Sequence, residues 1–238
     1  MAENTFAVTQ GEIGKPAKTE TVDWDIFTTK QKAVLADLNT RMPRTLVSSG
    51  KPVAHNQIRI VDDHRCDLPE RFVGEIAIQS DSLFSGYYHR PDLTRQVLEQ
   101  GWYFTGDIGY MADGHLFVTG RKKDIIIVAG KNIYPQDIEE IVSSLDGVHP
   151  GRTVAFGIYS EQSGTEEVIV LAETEVQDLS KQSEMKMNLA RLIRERLECI
   201  VSDIAFLPHM SLLKSSSGKI SRSSNREKYL KEIKGEKG

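Results

Sequence analysis

The stretch TGDIGYMADGHLFVTGRKKDIIIVAGKNIYPQDIEE, Thr105–Glu140, sets glycines, paired lysines and acids between strand-like runs. The texture of the chain changes inside it, near Arg121. On the far side, Ile125–Val128 reads as a β-branched strand. Pro135 then opens a helix at its first position, where its missing N–H costs nothing. Asp137, Glu139 and Glu140 fall in the first turn, on the favourable side of the helix dipole. Ile138, Ile141, Val142 and Leu145 form an apolar stripe that Gly147 ends.

Working outward toward the N-terminus, short strands and turns follow one another. GKPVAHNQIRIVDD (50–63) reads as a strand with Ile58 and Ile60 alternating with Arg59. ERFVGEIAIQS (70–80) is another, with Ile76 and Ile78 on one face. SGYYHRPDLTRQVL turns at Pro91 into a short helix, and GWYFTGD and GHLFVTG are two further strands. Short strands at this spacing predict a small barrel or a distorted sheet, about 47–121. Residues 1–50 are poorly periodic and hold one helix candidate, Thr28–Leu38 (TTKQKAVLADL).

Working toward the C-terminus, TVAFGIYS and EEVIVLAET read as strands joined by the polar turn EQSGT. A helix over Lys181–Cys199 carries Met185, Leu189, Leu192 and Ile193 on one face, and a strand over Ser202–Leu207 follows. KSSSGKISRS (214–223) is a polar Gly/Ser-rich loop before a charged tail. The predicted organisation is therefore a barrel-like α+β part within 1–121 and a small α+β domain over 122–238.

The chain has 238 residues, 39% hydrophobic and 27% charged, with a net charge of −4. That balance argues against a nucleic-acid partner. Cys66 and Cys199 fit no metal or redox spacing, so a reduced cytoplasmic compartment is the simplest reading. The longest apolar run, Ile125–Ala129, is too short for a membrane-spanning segment. The N-terminus has no secretory pattern.

Several short motifs can carry chemistry. Tyr103–Asp107 (YFTGD) reads as a strand ending in Gly-Asp, whose carboxylate could accept hydrogen bonds from the vicinal hydroxyls of a ribose. Arg121, in Gly-Arg-Lys-Lys-Asp, could offer a planar donor fork to sugar or phosphate. Gly130 permits left-handed backbone or close ligand approach. Taken singly, each is also the composition of an ordinary polar turn. Gly218-Lys219 resembles a phosphate loop only in part, because the first glycine that the pattern requires is missing. A lysine on such a loop can still be delivered to a phosphate as a mobile charge.

Order and spacing together resemble the adenylate-forming superfamily, which includes acyl-CoA synthetases, fatty acyl-AMP ligases, luciferases and peptide-synthetase adenylation domains. The resemblance rests on GEIAIQSDSLFSGYYHRPDLT (74–94), YFTGD, GRKKDIIIVAGKNIYPQDIEE and SSSGKISR. Met1-Ala2-Glu3-Asn4-Thr5 looks like the family's Tyr-Gly-x-Thr-Glu segment without its Tyr-Gly. This implies the C-terminal portion of a longer enzyme, with the phosphate loop and most of the acyl pocket upstream. LVSSGKPV (46–53) resembles that loop only superficially.

The resemblance implies ATP and Mg²⁺ as cofactors, a carboxylic (fatty) acid as substrate, and acyl carrier protein or CoA as acceptor. It implies that Glu3 holds Mg²⁺, that Asp107 binds the ribose with help from Arg121, and that Lys123 is the hinge of a small mobile domain. Lys219 becomes the adenylation lysine, and Gly130 faces a pantetheine tunnel. Ala2 and Asn132, the run Asn132–Glu139 and the long stretch Gly11–Arg44 look most like fatty acyl-AMP ligases. An acyl-CoA synthetase, or a non-catalytic binding protein, stays open as the alternative.

Overall fold

The computed structural model describes residues 2–233 and 235; Met1 and positions 234 and 236–238 of the charged tail lie outside the described residues. The chain divides into two compact α+β units, one up to Lys123 and one from Asp124.

In the first unit, the strands Asn56–Val61, Gly74–Ser80 and Trp102–Ala112 pair antiparallel in that order. Leu98–Glu99 and His115–Arg121 both pair with the last of them. Ile76 and Ile78 share a face, as the alternation predicts, in a core with Ile60, Tyr103 and Leu116. Ala77 points the other way and is equally buried, beside Val61 and Phe104. That second face is buried only at its centre: Glu75 and Gln79, which share it with Ala77, are partly buried. The sheet curls as a distorted barrel, and a bridge from Gly50 to Leu116 adds an outlying strand pair to it. Gly50 has φ +104°, and a Cβ there would stand 2.2 Å from the Gln10 carbonyl carbon, so only glycine permits this approach.

Two expectations for this unit fail. The helix runs over Trp24–Lys30 rather than Thr28–Leu38. Asp23 caps it by accepting from the Ile26 N–H, and Gln31, at φ 51°, ends it. Trp24 and Phe27 supply the buried face, their rings stacked at 4.6 Å. Leu35 and Leu38 are exposed, and Lys32 and Leu35 instead bridge to Phe72 and Val22. The second failure concerns Asp107, which does not end its strand. The strand passes through Gly106, at φ +70°, and a bulge at Ile108–Gly109 to reach Ala112. Asp113 and Gly114, both at positive φ, then close a two-residue hairpin.

In the second unit, Val148–Ser160 pairs antiparallel with Thr165–Thr174, which pairs parallel with Val201–Leu207. The helix Leu179–Leu197 makes the crossover that a parallel pair requires. That helix and Pro135–Ser143 cover one face through Ile138, Val142, Leu189 and Ile193. Val154, Phe156, Ile158 and Leu171 form the other face, closed by Leu212 and Tyr229. Pro135 is the first helical residue, as its ring geometry dictates, and Asp137 lies in the first turn. Glu139 and Glu140 fall beyond that turn, and Leu145 beyond the helix, which ends at Ser143. The polar segment after Leu213 is not wholly irregular: a Lys214–Ile220 bridge closes a loop, and Ser221 caps a helix over Arg222–Lys228.

Glu173 is fully buried in the middle strand. Its carboxylate accepts from the Met210 N–H at 3.0 Å and the Leu212 N–H at 2.8 Å. Burial pushes its pKa up, but these two donors, with Arg152 and His209, outweigh burial and hold it below the ordinary carboxylate value. A lowered folded-state pKa stabilises the fold at neutral pH, and that stabilisation is lost as pH falls through the lowered value. Glu173→Gln is predicted to cost about 1–3 kcal/mol at pH 7. Denaturant unfolding checks this, and the gap from wild type should narrow on acidification.

Candidate active site

The strand pair Trp102–Ala112 and His115–Arg121 sets Asp107 opposite Arg121. The Arg121 Nε donates to Asp107 Oδ1 at 3.0 Å, so the two Nη groups and Oδ2 are not engaged by this contact. Asp107 is partly buried and Arg121 exposed. The backbone around them is fixed by side chains. Thr105 Oγ1 donates to the Ile76 carbonyl at 2.8 Å and accepts from the Asp107 N–H at 3.0 Å. The Gly106 N–H donates to Glu75 Oε1, also at 3.0 Å. Gly106 needs its positive φ for this turn within the strand.

Asp107 and Arg121 line a cleft of about 690 Å³ together with Glu3, Tyr87, Tyr103 and Lys123. Glu3 reaches it because its segment runs against residues 82–84: Phe84 N–H donates to the Glu3 carbonyl at 2.9 Å and Thr5 N–H to Ser82 at 3.0 Å. The Tyr87 hydroxyl donates to Glu3 Oε1 at 3.0 Å. Burial raises the Tyr103 hydroxyl pKa far above the ordinary phenol value, with Tyr87 and Glu3 adding to it, so Tyr103 stays neutral. Lys122 is held by Asp63 at 2.8 Å and Glu75 at 3.0 Å. Its burial works against the charge, but the two carboxylates outweigh it and raise its pKa. Lys123 follows in a short 3-10 turn, exposed, at the end of the first unit.

The first unit thus brings Glu3, Asp107, Arg121 and Lys123 to one cleft. The other two expected residues lie in the second unit, on different loops. Gly130, at φ +81°, forms with Ala129, at φ 48°, the two-residue turn between Ile126–Val128 and Lys131–Ile133. Lys219 is exposed on the loop closed by the Lys214–Ile220 bridge, where the Ser215 N–H donates to the Lys219 carbonyl at 2.7 Å. It lines a groove of about 470 Å³ with Glu139, Arg152 and Thr153.

The sequence reading missed Glu75, Tyr87, Tyr103 and Lys122 as parts of the cleft. Tyr87 and Glu75 stood within the quoted Gly74–Thr94 run, but their role depends on strand register, which the run does not reveal. Chemically, the cleft offers one carboxylate with a cation at its shoulder, a second carboxylate beside neutral phenols, and aromatic walls. Such a set can bind a diol and an anion. Among the described residues no three His, Cys, Asp or Glu side chains converge as metal ligands. A lone Glu3 still fits Mg²⁺, which commonly takes one or two protein carboxylates and completes its shell from substrate phosphates and water.

No protein-family model matches the chain. It is 34% identical over 232 residues to a Caulobacter vibrioides protein named as a candidate acyl-CoA synthetase, covering 97% of this chain and 40% of that protein. It is 31% identical over 246 residues to a medium-chain-fatty-acid–[acyl-carrier-protein] ligase, JamA, of Moorena producens, covering 97% of this chain and 41% of that one. A structure from a study of fatty acyl-adenylate ligases of E. coli and L. pneumophila superposes with a TM-score of 0.88 and 34% identity, over 98% of this chain and 42% of its own. The chain thus spans about two fifths of the length of the curated relatives it matches. On these likenesses, which run over nearly all of its residues, the chain belongs to the adenylate-forming superfamily of acyl-CoA synthetases and fatty acyl-AMP ligases.

Proposed function

We propose that this region serves an enzyme that activates a fatty acid with ATP and transfers the acyl group to the phosphopantetheine thiol of an acyl carrier protein. In the first step a carboxylate oxygen of the acid attacks the α-phosphorus of ATP, giving acyl-adenylate and pyrophosphate. In the second the thiol sulfur attacks the acyl carbonyl, its proton is released, and AMP leaves. The observation that carries this reading is the Asp107–Arg121 pair at the wall of a cleft that Glu3 also lines.

Asp107 accepts the ribose hydroxyls, and Arg121 holds its carboxylate in place while offering its remaining N–H groups to the nucleotide. Glu3 would hold Mg²⁺, whose charge neutralises the phosphates when bound; Tyr87 fixes one Glu3 oxygen for that task. Lys219 bridges the substrate carboxylate and the α-phosphate in the first step. The carboxylate is already nucleophilic, so the step needs positioning and charge neutralisation rather than a base. Rotation about Lys123 withdraws Lys219 for the second step and brings the Gly130 turn to the incoming pantetheine.

The carrier-protein acceptor is favoured by the fit to the fatty acyl-adenylate ligase structure and by the acceptor in JamA's name. Free CoA is the second reading, favoured by the Caulobacter relative's name. The test supplies the full-length enzyme with fatty acid, ATP and either CoA or phosphopantetheinylated carrier protein. Acyl-carrier thioester should accumulate and acyl-CoA should not. Thioester with CoA alone would overturn the carrier assignment.

A further inference from the structure

Lys219 stands exposed on a loop, and a lysine on a slack loop would reach the reacting carboxylate only a small fraction of the time. The second unit contains a device against that slackness. The loop's neck is shut by the Ser221 N–H donating to the Leu213 carbonyl at 2.9 Å. The next residue, Arg222, extends a partly buried guanidinium along three directions. Nε donates to the Ala155 carbonyl at 2.8 Å, Nη1 to Asp124 Oδ2 at 2.7 Å, and Nη2 to Glu139 Oε1 at 2.7 Å. Glu139 Oε1 also accepts from the Ala155 N–H at 2.9 Å, so the acceptors are themselves fixed. Both carboxylates are only 20% exposed, which shields the pairs from solvent screening.

Sequence position gives this fork its meaning. Arg222 lies three residues after Lys219, and Asp124 directly follows Lys123. One planar side chain therefore joins the segment leaving the hinge to the stem of the lysine loop, across 98 residues of sequence. We propose that Arg222 is a positioning residue that locks the Lys219 loop to the hinge-adjacent segment through Asp124, so that rotation of the unit carries Lys219 as part of a rigid body. The proposal rests on the adenylation reading above. A guanidinium is suited to this and an ammonium is not, because only the planar fork spans three acceptors at once. Arg222 itself touches no substrate; it acts through Lys219.

The test compares the two half-reactions in the full-length enzyme. Arg222→Lys keeps the charge and loses the fork. Asp124→Asn is nearly isosteric and weakens the link to the hinge segment alone. Each is expected to slow fatty-acid-dependent ATP–pyrophosphate exchange by about tenfold to a hundredfold, the scale of a misplacement near 1 Å. Thioester formation from preformed acyl-adenylate should stay within about twofold of wild type, because Lys219 is withdrawn in that step. A merely structural role would lower both half-reactions together, in step with a loss of folded enzyme seen by thermal unfolding. Equal loss in both half-reactions, or no loss in exchange for either variant, overturns the proposal. Lys219→Ala run alongside separates this failure from failure of the adenylation reading: if Lys219→Ala divides the half-reactions and Arg222→Lys does not, only the positioning role falls.

Discussion

Lys219→Ala is expected to lower fatty-acid-dependent ATP–pyrophosphate exchange in the full-length enzyme by about two to three orders of magnitude. The acid and the triphosphate are both anions, and their approach brings like charges to one point. A cation set between them is worth most there, because its effect is realised in the transition state and water is excluded from the site; removing a single such donor costs about 10²–10³-fold elsewhere. In the proposed mechanism the lysine contributes no covalent step, so its loss should appear in the rate rather than in the identity of products. Lys219→Arg should recover little, since the loop that ends at the Lys214–Ile220 bridge positions a point charge and a planar fork reaches differently.

The second large effect belongs to Asp107, and it divides differently. Asp107→Ala removes the carboxylate proposed to accept the ribose diol and leaves Arg121 without the partner that orients its Nε. Hydrogen bonds to a charged group contribute about 1.5–3 kcal/mol, so kcat/KM for ATP should fall by roughly tenfold to a hundredfold. The ribose is bound in both steps, because acyl-adenylate carries it too. Asp107→Ala should therefore weaken both half-reactions, mainly through KM, where Lys219→Ala weakens one, mainly through kcat. Steady-state exchange at varied ATP, beside single-turnover transfer at varied acyl-adenylate, reads the contrast.

Much of the fold was legible because local rules and tertiary packing agree. Pro135 at the first helical position and the stripe of Ile138, Ile141 and Val142 gave the helix correctly, and the β-branched runs gave the strands of the second unit. The failures have identifiable causes. TTKQKAVLADL has helical spacing, yet Trp24 and Phe27, just before it, bury more apolar surface, and the core took the helix there. The strand through Gly106 was cut short because glycine usually marks a turn, whereas here a positive φ lets Asp107 face Arg121 without ending the pairing. Glu3, Asp107, Arg121 and Lys123 were named as cleft residues through the family resemblance, not from any one motif. Glu75 and Tyr87 could not be, because they reach the cleft through antiparallel register and a bridge at residue 4, both set by contacts distant in sequence. Arg222 was within the quoted SSSGKISR motif, but its acceptors lie 67 to 98 residues away, so its linkage was invisible.

One experiment reaches the central claim most directly: the two half-reactions measured side by side in wild-type and Lys219→Ala full-length enzyme, with a fatty acid, ATP and phosphopantetheinylated carrier protein. Acid-dependent ATP–pyrophosphate exchange is expected in the wild type, with near-complete loss in Lys219→Ala and comparable transfer from preformed acyl-adenylate in both. A wild type with no acid-dependent exchange, or a variant that loses both half-reactions equally, would contradict that claim.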